Sequence, residues 1–217
     1  MGQDERKTKE TVVEQVVKSI KLGIKEGNYV PGQRLIESSL TESLKVSRGP
    51  LREAMWRLSG EGLLDIKPNY GVEVKRLTKE EALGIFDIRE VNEGLAARLA
   101  AINADPASIK RLKKALELTE SSHKDPDLLN FMKANDLFHD TIIEMAENQQ
   151  LKELIEQLRL PIYRLQFKNI IRGVTSQSVK QHREIFDAIS QKDPKKAERA
   201  MQRHIRASAS LLKKAVD

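Results

Sequence analysis

The chain has 217 residues, 39% apolar and 32% charged, enough for one large core or two modest ones. Aromatic residues make up only 4%, which argues against a large β-sandwich, and the absence of cysteine excludes a disulfide framework, a thiolate metal site and a cysteine nucleophile. A formal net charge of +6 and a sequence pI of about 9.4 lean towards an anionic partner.

The opening "MGQDERKTKE" is charged. No apolar segment after it is long enough for a signal peptide or a membrane span. With no cysteine present, a cytoplasmic location and no membrane partner are expected.

The first 77 residues change pattern often. "TVVEQVVKSIKLGIKEG" is an amphipathic helix with Val13, Val16, Val17, Ile20 and Ile24 on one stripe and Gly27 near its stop. "NYVPGQRL" reads as a turn broken by Pro31 and Gly32. "IESSLTESLK" makes a short helix, and Ser47 is placed to cap the next, which runs to about Gly60. "LLDIK", "PNYG" and "VEVKRL" then read as strand, turn and strand, with Asn69, Tyr70 and Gly71 at the turn.

From Thr78 the pattern is helical throughout, with runs near 78–103, 106–122, 126–147, 149–172, 176–191 and 194–215. Thr78 with Glu81 forms a capping box, and Pro106, Pro126 and Pro194 stand at first-turn positions. The short breaks predict an antiparallel bundle of about six helices. The expected fold is therefore mainly α. A winged helix-turn-helix domain spans 1–77, with a small β-hairpin wing, and an all-helical domain spans 78–217.

One helix start is chemically odd. "VSRGPLREAMWRL" puts Arg48 and Arg52 in its first two turns, where the helix dipole disfavours positive charge. Leu51, Ala54, Met55 and Leu58 form its buried stripe, while the two arginines share another face. Their position suits an external polyanion, which gains free N–H groups, the dipole and guanidinium forks together. A short helix, a tight turn, a basic helix and a Gly-tipped hairpin compose a winged helix-turn-helix. Solvated surface arginines are the plain alternative. Trp56 reads as a packing residue at the domain surface or an interface.

"PGQRLIESSLTESLKVSRGPLREAMWRLSGEGLL" resembles the winged-helix domain of the GntR transcription regulators over roughly residues 10–76. The resemblance implies that Arg34, Arg48 and Arg52 contact DNA and that Gly71 lies at the wing tip; Ser47, Gly49 and Tyr70 are expected on the same DNA-binding face. Thr41 stands where the family has a small Ala, and Gly49 stands where Thr is common. The second change bears on the operator sequence.

Three of the four histidines, His139, His182 and His204, fall on three separate predicted helices, with Asn135 one turn before His139. Three imidazoles and a side-chain oxygen are able to hold a divalent transition metal, zinc or nickel foremost. Asp136 and Asp140 are rivals, each rotated about 100° from the neighbouring candidate. His123, in "SSHKDPD", reads as solvent-exposed.

"IFDIREVNEGLAARLAA", "NDLFHDTIIEMAENQQL", "QHREIFDAI" and "DPKKAERAMQRHI" resemble the effector domain of the FadR-type branch over roughly residues 80–215. That resemblance implies Asn135, His139, His182 and His204 as metal ligands. Asn replaces the commoner Asp, which removes a negative charge. Six helices rather than seven imply the VanR-like subgroup. Arg89 has two readings, an ion pair with Glu93 at i+4 or, by the resemblance, a cavity-facing guanidinium for a small organic acid effector.

The function expected is a ligand-responsive, homodimeric regulator of duplex operator DNA, in the repressor mode, and not an enzyme. A three-His metalloenzyme lacks a base on the His139 face, since Asp140 and Glu144 miss it. A helical scaffold for protein partners leaves the basic helix to meet an acidic protein.

Overall fold

The structure, a computed structural model, describes residues 10–123, 128–163 and 175–215. The chain divides into two compact units between Arg76 and Leu77. Among the described residues there are nine helices and three strands.

In the first unit, α1 (Val12–Lys25) is opened by a Thr11–Glu14 capping box and buries Val16, Val17, Ile20 and Ile24. Gly27, in the left-handed region at φ 78°, follows its end. Helices α2 (Glu37–Leu44) and α3 (Arg48–Gly60) are separated by Lys45, whose φ of 55° makes the tight turn. The stripe Leu51, Ala54, Met55 and Leu58 is buried against α1 and the sheet. Burial of side chains of this size stabilises by about 1.5–3 kcal/mol each.

The sheet is larger than the expected hairpin. Strands β2 (Leu64–Lys67) and β3 (Gly71–Val74) are joined by β1 (Arg34–Leu35), in the order β1-β3-β2. Arg34 pairs with Glu73 and Leu35 with Val72. "NYVPGQRL" reads as turn alone because two residues cannot display alternation. Backbone bonds place the strand: Gly32 N–H donates to Val74 C=O at 2.7 Å and Val74 N–H to Gln33 C=O at 2.9 Å.

The second unit is a helical bundle of α4 (Lys79–Asn103), α5 (Pro106–Ser122), α6 (Leu128–Met145), α7 (Gln149–Tyr163), α8 (Thr175–Ser190) and α9 (Pro194–Ala215). Thr78 with Glu81 and Asp105 with Ser108 form capping boxes, and Pro106 opens α5. Asp193 accepts the Lys196 N–H at 2.9 Å and so opens α9. Pro126 and residues 164–172 of the expected fourth run lie outside the described residues, so the choice between six and seven helices falls on a span that includes 164–174.

Helices α4 and α9 form the most extensive pair. Gly94, Ala97, Ala100 and Ala101 on one side and Ala197 and Ala200 on the other are all buried. Their small side chains let the backbones approach closely.

Candidate functional site: an exposed arginine face and a buried imidazole cluster

Ser47 is the N-cap of α3 in extended conformation, yet its hydroxyl makes no capping bond. It stands exposed beside Arg48 and Gly49. Arg48 makes no ion pair among the described residues, and it lines a concavity with Arg34, Ser38 and Gly71. Arg52 behaves differently. Its Nε donates to both Glu37 oxygens, at 3.0 and 3.1 Å. The pair is exposed, so it is worth only about 0.2–1 kcal/mol and yields readily to a polyanion. Glu37 has no counterpart among the expected site residues.

The hairpin tip is shaped by Asn69 at φ 61° and Gly71 at φ 106°. The Arg34 guanidinium lies 4.9 Å from the Tyr70 ring centre and the Lys67 ammonium 5.6 Å from it. Lys67 also pairs with Glu73. Strand β1 therefore carries Arg34 to the wing, where it meets Tyr70 and Gly71. Trp56 is 67% exposed. It lies one turn beyond Arg52 on the outer side of α3.

In the second unit His139 on α6, His182 on α8 and His204 on α9 converge. Their candidate ligand atoms lie within 4.8 Å of one another, and all three residues are buried. His139 Nε2 and His204 Nε2 are 3.2 Å apart. His139 Nδ1 is 2.9 Å from Glu93 Oε2, and His204 Nδ1 is 3.0 Å from Gln181 Oε1. The Glu93 carboxylate can only accept, so His139 donates to it from Nδ1, and the His139 Nε2 lone pair faces His204.

His182 stacks on Phe138 with ring centres 4.4 Å apart. Neither of its buried ring nitrogens has a hydrogen-bond partner, a costly state for a buried polar group. Burial, then the charges of His204 and His139, hold His182 well below the usual imidazole value. Burial and the charge of His139 push His204 down to about 3. Neutral imidazoles are the ligating form.

Glu93, buried on α4, is the residue the sequence presented only as a partner for Arg89. It accepts from Arg89 Nε at 2.7 Å and from His139. Burial alone would raise its pKa, but Arg89, His139 and the charge of Arg159 together hold its carboxyl well below the usual range. The rivals Asp136 and Asp140 are both engaged by Arg159 of α7, Asp136 at 3.0 Å. Asn135 is half-buried one turn before His139. His123 is the C-cap of α5 and half-buried rather than exposed, with Nδ1 2.5 Å from Glu120 C=O.

A winged helix-turn-helix head followed by a helical domain defines a class of bacterial DNA-binding transcription regulators. The family model described as bacterial regulatory proteins, gntR family, matches residues 12–74, and that of the FCD domain matches residues 84–207. The chain is 30% identical to the uncharacterized HTH-type transcriptional regulator YdhC of Bacillus subtilis (strain 168), over 92% of this chain and 90% of that one. It is 27% identical to the HTH-type transcriptional repressor RspR of Escherichia coli (strain K12), over 89% and 86%. The solved structure of E. coli McbR/YncC has the same fold, with a TM-score of 0.83, 23% identity and coverage of 95% and 99%. The chain belongs to the GntR family of transcription regulators, with an FCD domain as its second half, and its relatives are DNA-binding regulators rather than enzymes. No described helix is long and apolar enough to cross a membrane.

Proposed function

We propose that this protein is a homodimeric repressor whose grip on duplex operator DNA is set by a small organic acid bound beside a divalent metal ion. The observation that carries the reading is the inward convergence of three buried imidazoles. Around a zinc ion, ligand nitrogens stand about 3.3 Å apart, given bonds of about 2.0–2.1 Å. The His139–His204 separation of 3.2 Å already matches this, and the unpartnered His182 supplies the third donor. The side chains therefore fit a metal such as zinc or nickel, held by His139, His182 and His204 with Asn135 as the fourth ligand. When bound, such an ion offers open positions to carboxylate oxygens.

Arg89 serves as the effector's counter-ion. Its Nε is engaged by Glu93, and its terminal nitrogens keep the fork geometry that suits a carboxylate. On DNA, Arg48 and Arg52 of α3 meet base edges in the major groove, while Ser47 and Gly49 meet phosphate. Arg34, Tyr70 and Gly71 carry the wing to the neighbouring groove. The exposed apolar positions Ile88, Val91 and Ile102 lie on one side of α4, and this stripe is the dimer face. One head reads a half-site and two heads read a palindrome. The effector shifts operator affinity by the difference in its own affinity for the two placements of the heads.

The test is purification without chelator and elemental analysis. Anisotropy titrations of selected and scrambled duplexes follow, with and without chelator and a panel of small carboxylic acids. The reading expects about one metal ion per chain, preference for the selected duplex, and weaker binding with one acid. A metal-free protein indifferent to every acid would overturn the effector reading.

A further inference from the structure

Glu93 touches two cationic or hydrogen-donating partners at once, and both contacts have a direction. Arg89 can only donate, and it does so from Nε to Oε1 at 2.7 Å. Oε2, on the other side of the same carboxylate, lies 2.9 Å from His139 Nδ1. Glu93 and His139 are both buried.

We propose that Glu93 is the positioning residue of the imidazole centre. Its carboxylate holds the His139 proton on Nδ1, and that tautomer alone leaves the Nε2 lone pair facing His182 and His204. The inference rests on the metal reading for its use, but its first prediction concerns the metal-free protein. Arg89 is part of the device, because its guanidinium anchors the carboxylate through Oε1. His204 has a weaker version of the same arrangement, in which Gln181 offers an amide oxygen at 3.0 Å.

The variant Glu93→Gln discriminates this role from packing, because the amide has the same shape but a fixed donor end. Its oxygen turns to Arg89, which accepts nothing. Its NH2 then faces His139 Nδ1 and needs a lone pair there, so the proton moves to Nε2 and the inward lone pair is lost. Outer partners of metal-bound histidines typically change metal affinity by about 10–100-fold when replaced, and a loss of that size is expected here for zinc.

The experiment is 15N-detected NMR of the histidine rings at pH 8 in the metal-free full-length wild type and Glu93→Gln. Zinc affinity of both is then measured against a chromophoric chelator, with His204→Ala as the reference for a lost ligand. Expected are an Nδ1–H tautomer for His139 in the wild type, an Nε2–H tautomer in Glu93→Gln, and weaker zinc binding by the variant. An Nε2–H tautomer in the wild type overturns the proposal without any variant. So does a folded Glu93→Gln with unchanged tautomer and unchanged zinc affinity. If wild type and His204→Ala both fail to bind zinc, the metal reading falls, while the tautomer comparison still decides the role of Glu93.

Discussion

Arg48 and Arg52 share a helix face but differ in what they touch. Arg48 stands without an ion pair among the described residues, whereas Arg52 is held by Glu37. Arg48→Ala and Arg52→Ala are each expected to weaken binding to a selected duplex by about 1–3 kcal/mol, roughly 5–150-fold. Glu37→Ala removes a negative charge from the same face, so its affinity for scrambled duplex rises. Anisotropy at fixed salt reads all three, and unchanged affinity in Arg48→Ala would count against the DNA face. Trp56, the single tryptophan of the chain, provides an optical probe of the same helix. Its acrylamide quenching is expected to be high in the free protein, since the side chain is mostly exposed, and to fall when duplex is added. Quenching that duplex leaves untouched would place Trp56 outside the interface.

The helix pair α4–α9 is set by how little its seam contains. A side chain added at Gly94 would bring its Cβ within 2.8 Å of Gln202 Cγ. Gly94→Val is therefore expected to push α9 away and destabilise the second unit by about 1–3 kcal/mol, read as a lower urea midpoint. Gly49 is the contrasting case, because a Cβ there meets nothing within 4 Å. Gly49→Ala should leave the fold intact and stabilise α3 by up to about 1 kcal/mol. The seam matters for the site, since Glu93 precedes Gly94 on α4 and His204 lies two residues beyond Gln202 on α9. A displacement of α9 thus moves one imidazole relative to the residue that holds another, and Gly94→Val should lose zinc affinity along with stability.

For the molecule as a whole, the buried centre links stability to pH. His182 and His204 are held below the unfolded imidazole value of about 6.5. Below that pH the unfolded chain takes up protons that the folded chain refuses, so stability falls with falling pH. For His204 the loss continues until its folded value of about 3. Glu93 has the same sign in a lower window: its depressed carboxyl contributes stability above the unfolded value of about 4.5 and loses it as pH falls. The Tm of chelator-treated protein is expected to decline steadily from pH 7 to pH 4, and a flat profile between 7 and 5 would contradict the burial of neutral imidazoles. On the proposed metal reading, zinc held by the folded form is expected to oppose this loss, by about 4 kcal/mol when its free concentration is 1,000 times Kd.

Local pattern in the sequence determined the elements. The stripe from Val16 to Ile24, the Thr78–Glu81 box, the prolines at 106 and 194 and the basic start after Ser47 each speak through neighbours a few residues apart, and helices obey such short periods. Strand β1 escaped because two residues carry no period, and its partner β3 lies nearly forty residues away. The three histidines were visible as residues, but their meeting was not, since α6, α8 and α9 converge only through packing. Glu93 was visible solely as the i+4 neighbour of Arg89. That its second oxygen accepts a hydrogen bond from an imidazole 46 residues distant was decided by the tertiary structure alone, because hydrogen bonds across a core depend on where helices come to rest.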